Sequence, residues 1–221
     1  MRLIDKFLEL CFPSKCILCA KILEKEETDL CHSCRAEISE CGKSKTAIPF
    51  IESWLALWYY EGKVRSSLLR YKFGGHRGYA RIYGRLLAMK LLRDVQDRFD
   101  ILTYIPISRL RKFRRGYDQV QLLAEAVGAE LGMEVVPTLK KIRHNPPQSG
   151  IGDAAHRRAN VMGVYEAIDP AQLAGKRILL LDDIITTGAT ASECARVLLT
   201  AGAKEVICAA IAAANHQQKN Q

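Results

Sequence analysis

The stretch Arg177-Ile178-Leu179-Leu180-Leu181-Asp182-Asp183-Ile184-Ile185-Thr186-Thr187-Gly188-Ala189-Thr190 decides the fold. Branched aliphatics from Ile178 to Leu181 run unbroken into a pair of carboxylates, Ile184 and Ile185 follow, and the run ends at a polar loop of threonines around Gly188. An apolar run of this length, bounded by turn residues, predicts a strand of a parallel sheet buried on both faces. A helical pattern takes over from Ala191 to Leu199. In open α/β sheets ligands bind just beyond the carboxyl ends of the strands, which is where this loop falls.

The residue types of the loop define its chemistry. Thr186, Thr187 and Thr190 offer hydroxyls, while Gly188 and Ala189 keep the turn slim enough for a ligand to approach the backbone. The helix that follows presents free N–H groups and the positive end of its dipole, both of which favour a phosphate. Asp182 and Asp183 sit upstream, placed to accept hydrogen bonds from ribose hydroxyls or to hold Mg2+. A phosphate cradle and a diol reader at this spacing describe a ribose 5-phosphate site. A tight turn that binds nothing has no need of paired carboxylates before it. The segment resembles the phosphoribosyl-pyrophosphate (PRPP) binding motif of type I phosphoribosyltransferases, a hydrophobic strand, two acidic residues and a Thr-Thr-Gly-x-Thr loop.

Working outward, 221 residues suffice for one α/β domain and a small extra module. Apolar content of 48% and charged content of 26% are ordinary for a globular protein. The formal charge of +9, from 33 basic and 24 acidic side chains, favours a polyanionic partner, either nucleic acid or a polyphosphate. No stretch approaches the roughly 20 apolar residues of a membrane span. At the start, Leu3, Ile4, Phe7, Leu8 and Cys11 fall at helical spacing, and Asp5, Lys6 and Glu9 interrupt any signal-peptide core. The expectation is an amphipathic helix packed on the protein body, and a cytoplasmic protein, where disulfides are rare.

That compartment makes the cysteines informative. Eight occur, and six of them lie between residues 11 and 41. Cys16-Ile-Leu-Cys19 and Cys31-His-Ser-Cys34 are two C-x2-C knuckles separated by eleven residues. Each knuckle presents two thiolates to one metal, and the pair predicts tetrahedral Zn2+ in a structural role, with no coordination position left for catalysis. His32 or the leftover Cys11 and Cys41 remain alternative ligands. Cys194 and Cys208 read as buried thiols.

The rest of the chain alternates. After a polar linker over 42–53, an aromatic-rich strand is expected over 54–60, then helices over 64–73 and 79–95. A strand over 101–107, a helix over 118–131 capped by Gly132, an extended segment over 135–141, the strand over 176–182 and a last strand over 205–210 follow, with a polar, frayed tail from 212. This order implies an α/β fold, a parallel sheet flanked by helices.

Two further segments bear on function. Arg109, Arg111, Arg114 and Arg115 crowd what reads as a loop after the strand that Pro106 stops. Arginine suits bidentate phosphate contacts, so this loop is a candidate for pyrophosphate or for a nucleic-acid backbone. A second loop runs from Arg143 through Pro146 and Pro147 and is long for a connection, with Gln148, Arg157 and Asn160 as its candidate contacts.

Taken together, the two cysteine knuckles, Lys72-Phe73-Gly74, Arg114-Arg115-Gly116-Tyr117-Asp118-Gln119, Gln148 with Arg157 and Asn160, and the Asp182–Thr190 loop resemble, in order and over nearly the full chain, the ComF (GntX-like) family. The resemblance implies a type I phosphoribosyltransferase-like domain over 46–221 behind a four-cysteine zinc module over 1–45. It implies Asp182 and Asp183 on the ribose and Mg2+, residues 186–190 on the 5′-phosphate, the arginine loop on pyrophosphate, and a flexible loop around Gln148. It also implies DNA uptake and competence, single-stranded DNA as a partner and proteins of the uptake machinery as others.

Two functions follow from these readings. One is a PRPP-dependent pentosyl transferase with an unknown acceptor, in which Trp54, Trp58 or Tyr60 would have to stack the base or else belong to the core. The other is a binding module that keeps the ribose-phosphate site and holds single-stranded DNA. Tyr71, Lys72, Phe73, His76, Arg77, Tyr79, Arg81, Tyr83 and Arg85 interleave aromatic and basic residues as such binding requires, although an amphipathic helix with a solvated basic face has the same pattern.

Overall fold

In a computed structural model, residues 13–41, 47–95, 99–143 and 161–215 are described. The N-terminal amphipathic segment with Cys11, the Gly42–Thr46 stretch of the linker, Gln148, Arg157 and Asn160, and the last residues of the tail lie outside them.

The main sheet has four parallel strands in the order β1-β6-β5-β2, namely β1 (Ser53–Tyr59), β2 (Ile101–Tyr104), β5 (Arg177–Ile185) and β6 (Glu205–Ala213). Val135 makes a parallel bridge to Leu102 on the outer side of β2, and Val136 N donates to Leu102 O at 2.9 Å. Parallel strands cannot be joined by tight turns, so each crossover carries a helix: α2 (Gly62–Phe73), α3 (Tyr79–Asp94), α4 (Arg109–Arg115), α5 (Gln119–Leu131) and α7 (Ala189–Thr200). Two short helices complete the list, α1 (His32–Glu37) and α6 (Pro170–Leu173). A two-stranded antiparallel hood, β3 (Leu139–Lys141) with β4 (Tyr165–Ala167), stands apart from the main sheet.

The sheet separates two cores. Leu179, Leu181, Leu55, Leu57 and Ile207 pack with α2, α3, α5 and the first cysteine knuckle. Ile178, Leu180 and Cys208 pack with Cys194 and Leu198 of α7 and with Leu139 and Tyr165 of the hood. β6 is rich in alanine, and Ala210 and Ala212 lie beside Ala56 and Trp58 of β1 in register. Helices α3 and α5 cross closely at Gly84, where a Cβ would come within 2.4 Å of Ala126 Cβ. Any side chain at Gly84 would push the two helices apart.

The elements read from sequence stand, with adjusted ends. β5 and β6 run three residues further than their patterns predicted, so Asp182 and Asp183 lie inside β5. The expected arginine loop is helical instead. Ser108 caps α4 by accepting from Arg111 N, and Gly116 at φ 75° stops it. Asp118 caps α5 and Gly132 ends it in the left-handed region. Among the described residues no helix is long and apolar enough to cross a membrane.

Candidate functional site

Successive residues of a strand point to opposite faces of a sheet, and the two carboxylates at the end of β5 separate accordingly. Asp183 faces α2 and α5. Lys72 Nζ donates to its Oδ1 at 2.8 Å, and Gln119 Nε2 to its Oδ2 at 2.6 Å. Both side chains of the ion pair are largely buried, at 16% and 8% exposure. Lys72 is held there because α2 is anchored on both sides: Tyr71 OH donates to Gln119 O at 2.5 Å, and Tyr117 OH donates to Tyr71 O.

Asp182 faces the other core. Its Oδ1 accepts from Asp183 N at 2.7 Å. Burial, and then the charge of Asp183, push its pKa up to about 8. Cys194 and Cys208 lie in the same environment, and burial, then the charge of Asp182, raises both thiols. Across from it the hood contributes Lys141, whose Nζ donates to Tyr165 OH at 3.3 Å and sits 5.1 Å over that ring. Burial, and then the charge of Arg111, lower the Lys141 pKa to about 8.

The Thr186–Thr190 loop joins β5 to α7. Gly188 has φ 73°, which an L side chain rarely adopts, and a Cβ there would come within 2.8 Å of Ile48. The missing side chain therefore makes room for Ile48, which backs the loop. Asp118 ties the neighbouring loop in place by accepting from Ile107 N at 3.1 Å and from the first amides of α5.

The four arginines divide. Arg109 and Arg114 are exposed, whereas Arg111 and Arg115 are half-buried. Arg115 packs its guanidinium 4.7 Å over the Phe73 ring, and burial lowers its pKa against the opposing charge of Asp183. Among the described residues, three buried polar side-chain atoms lack a hydrogen-bond partner: Arg115 Nη1, Gln119 Oε1 and Thr187 Oγ1. All belong to segments that meet at the carboxyl end of β5. A buried polar group left unpaired costs about 1–3 kcal/mol, so such a cluster needs a reason.

Sequence reading missed the roles of Lys72, Gln119 and Lys141. Lys72 and Gln119 stood in the ComF-like pattern without an assigned partner, and nothing marked Lys141. The interleaved aromatic stretch also divides: Tyr71 and Tyr83 are fully buried, the latter bonded to Ser67 at 2.6 Å, and only Phe73 and His76 are exposed aromatic rings. Trp58 is buried and Trp54 and Tyr60 are half-buried.

At the other end of α2, the Sγ atoms of Cys16, Cys19, Cys31 and Cys34 all lie within 4.8 Å of one another and could hold a metal ion. The first knuckle is a small hairpin bridged at Lys15 and Ile22, and the second opens α1. Cys41 lies instead against β1, its N donating to Leu57 O at 2.9 Å, and His32 is exposed outside the sulfur cluster. Ser67 Oγ donates to Ile17 O, and Arg70 Nη2 donates to Ile17 O and Leu18 O at 3.0 and 2.7 Å, so α2 grips the knuckle backbone.

Residues 84–221 match the phosphoribosyl transferase domain. The chain belongs to that family. The knuckles, α2 and Lys72 lie outside the matched span, but similarity to known proteins extends across them. The chain is 25% identical to competence protein F of Haemophilus influenzae over 219 residues, 88% of this chain and 95% of that one. It is 26% identical to competence protein ComFC of Streptococcus pneumoniae, covering 87% and 96%. It is 25% identical to the DNA utilization protein YhgH of Salmonella typhimurium, covering 86% of each. The ComF resemblance read from the motifs therefore holds over most of this phosphoribosyl transferase-family chain.

Proposed function

We propose that the carboxyl end of β5 binds PRPP or a related ribose phosphate with Mg2+, and that the protein serves the handling of imported DNA in the cytoplasm. The cluster of unpartnered buried atoms carries this reading. The donors Arg115 Nη1 and Thr187 Oγ1 suit phosphate oxygens, and the acceptor Gln119 Oε1 suits a hydroxyl. Thr186 to Thr190 would take the 5′-phosphate at the start of α7. Asp182 and Asp183 would hold the ribose diol and Mg2+, a hard cation that takes oxygen ligands. Arg115 and Arg111, more than the solvated Arg109 and Arg114, would face the pyrophosphate, and Gln148, Arg157 and Asn160 are proposed as further contacts. Cys16, Cys19, Cys31 and Cys34 would hold structural Zn2+, whose four-thiolate shell leaves no position for chemistry. The names of the relatives, competence protein and DNA utilization protein, support a role with single-stranded DNA and with proteins of the uptake machinery.

The deciding experiment is calorimetric titration of PRPP with Mg2+ into protein whose zinc content has been measured at one ion per chain. Binding that is lost in Asp183→Asn supports the site; no binding by folded wild type removes it. The half-buried Arg115 also favours a second reading, a transferase that stabilises departing pyrophosphate. Release of pyrophosphate from bound PRPP on adding candidate acceptors would separate transfer from binding.

A further inference from the structure

Helix α2 touches both the cysteine cluster and the strand end of β5. On one face, Ser67 Oγ donates to Ile17 O, and Arg70 Nη2 donates to Ile17 O and Leu18 O at 3.0 and 2.7 Å. In its last turn, Lys72 Nζ donates to Asp183 Oδ1 at 2.8 Å. Ile17 and Leu18 are the two residues between Cys16 and Cys19, so the carbonyls that α2 grips belong to the first knuckle itself. Ser67 and Lys72 are five residues apart, about 7.5 Å along a helix that rises 1.5 Å per residue. Over so short a length a helix passes on a displacement of one end to the other.

The four cysteines fit the metal proposed for them. Zn–S bonds of about 2.3 Å put the sulfurs of a tetrahedral site about 3.8 Å apart. Cys19 Sγ and Cys31 Sγ lie 3.6 Å apart, in a set whose members are all within 4.8 Å. Ligation at such a site orders the chain around it. Here it fixes the Cys16–Cys19 loop, and with it the direction of both gripped carbonyls. Helix α3 also reaches the knuckles, through the ion pair of Arg85 with Asp29. Lys72 lies on α2, however, so only the α2 contact leads to Asp183.

We infer that α2 couples the two sites: metal held by the four cysteines strengthens ribose-phosphate binding at Asp183, and Arg70 is the positioning residue that transmits the effect. With the knuckle closed, α2 is anchored and Lys72 is held against Asp183. With the knuckle open, both anchoring carbonyls lose their direction and the ion pair loses its support. The effect is reciprocal, since a ligand whose affinity rises with the metal must raise the metal affinity by the same factor. The inference rests on the ribose-phosphate and zinc readings above and adds a regulation to that site.

The test measures zinc affinity by competition with a chromophoric chelator, with and without saturating ribose 5-phosphate and Mg2+. It is made on wild type, Arg70→Met and Asp29→Asn. Asparagine suits the φ of 62° at position 29 and removes the charge from the α3 contact. Wild type should hold zinc on the order of tenfold more tightly with the sugar phosphate bound. Arg70→Met should still take up one zinc per chain but bring that factor close to one. Asp29→Asn should keep the wild-type factor. A wild-type zinc affinity that is indifferent to the ligand overturns the coupling, whatever the variants do. A factor that survives in Arg70→Met, or is lost equally in Asp29→Asn, overturns the route through α2. Zinc-loaded wild type that binds no ribose 5-phosphate overturns the ribose-phosphate reading, and protein that takes up no zinc overturns the zinc reading; either result removes the coupling with it.

Discussion

Asp182 and Asp183 are neighbours at the end of one strand, and the fold treats them in opposite ways. On the side of α2 and α5, Asp183 has a donor on each oxygen and a buried cation at 2.8 Å. On the side of α7 and the hood, Asp182 meets buried thiols and a backbone amide, and its pKa rises to about 8. The difference teaches that a pair of carboxylates in sequence need not be a pair in chemistry. Asp183 is engaged on both oxygens by side-chain donors, whereas burial raises the pKa of Asp182 to about 8. A ligand reaching this strand end would meet two carboxylates in different surroundings.

A large loss of stability should come from breaking the Asp183 side. Lys72→Met keeps the length of the side chain and removes the cation, leaving a buried carboxylate that faces only Gln119. Removing one member of a buried pair costs about 3 kcal/mol. A drop of that size in urea-unfolding stability is expected, and the double variant Lys72→Met/Asp183→Asn should recover part of it. A single variant as stable as wild type would mean that Asp183 needs no cation and that the two carboxylates are alike.

The Asp182 side predicts a change of opposite sign that depends on pH. Its pKa moves from 3.8 to about 8 on folding. Between those values the folded protein holds a proton that the unfolded chain has lost, so this group's contribution to stability falls as pH rises and is lowest above about pH 8. Asparagine cannot ionise. Melting temperatures of Asp182→Asn should therefore gain on wild type as pH rises from acid toward about pH 8, then run parallel to it. A difference that does not vary with pH would mean that burial does not raise the pKa of Asp182.

How much of this was legible depends on distance along the chain. The β5 run, the loop at Gly188 and the knuckle spacing are local patterns, and each is dictated by a short-range rule of burial, turn or metal ligation. The arginine helix was misread because α4 is charged almost all round and shows no periodicity, even though its stops, Ser108 and Gly116, were both in view. The partner of Asp183 was invisible because Lys72 lies 111 residues away. The aromatic-basic stretch misled for a related reason: helical periodicity sends Tyr71 and Tyr83 inward, and composition alone does not say which rings remain outside.

The smallest change in stability should be the most informative about ligand. Thr187 carries a buried hydroxyl with no partner, in the loop that continues from both carboxylates. Thr187→Val keeps the shape and removes a polar atom that gains nothing from the fold. Were the hydroxyl structural, its loss would cost about 1 kcal/mol. Because it is unpaired, stability should instead stay level or rise slightly, measured by the same urea unfolding. Affinity for ribose 5-phosphate should fall about fivefold, the equivalent of one hydrogen bond of roughly 1 kcal/mol. A residue that costs the free protein stability and aids only the bound state is held for a ligand, and this variant separates the two quantities. A loss of stability with unchanged affinity would assign Thr187 to the fold and leave the loop at Gly188 as a turn.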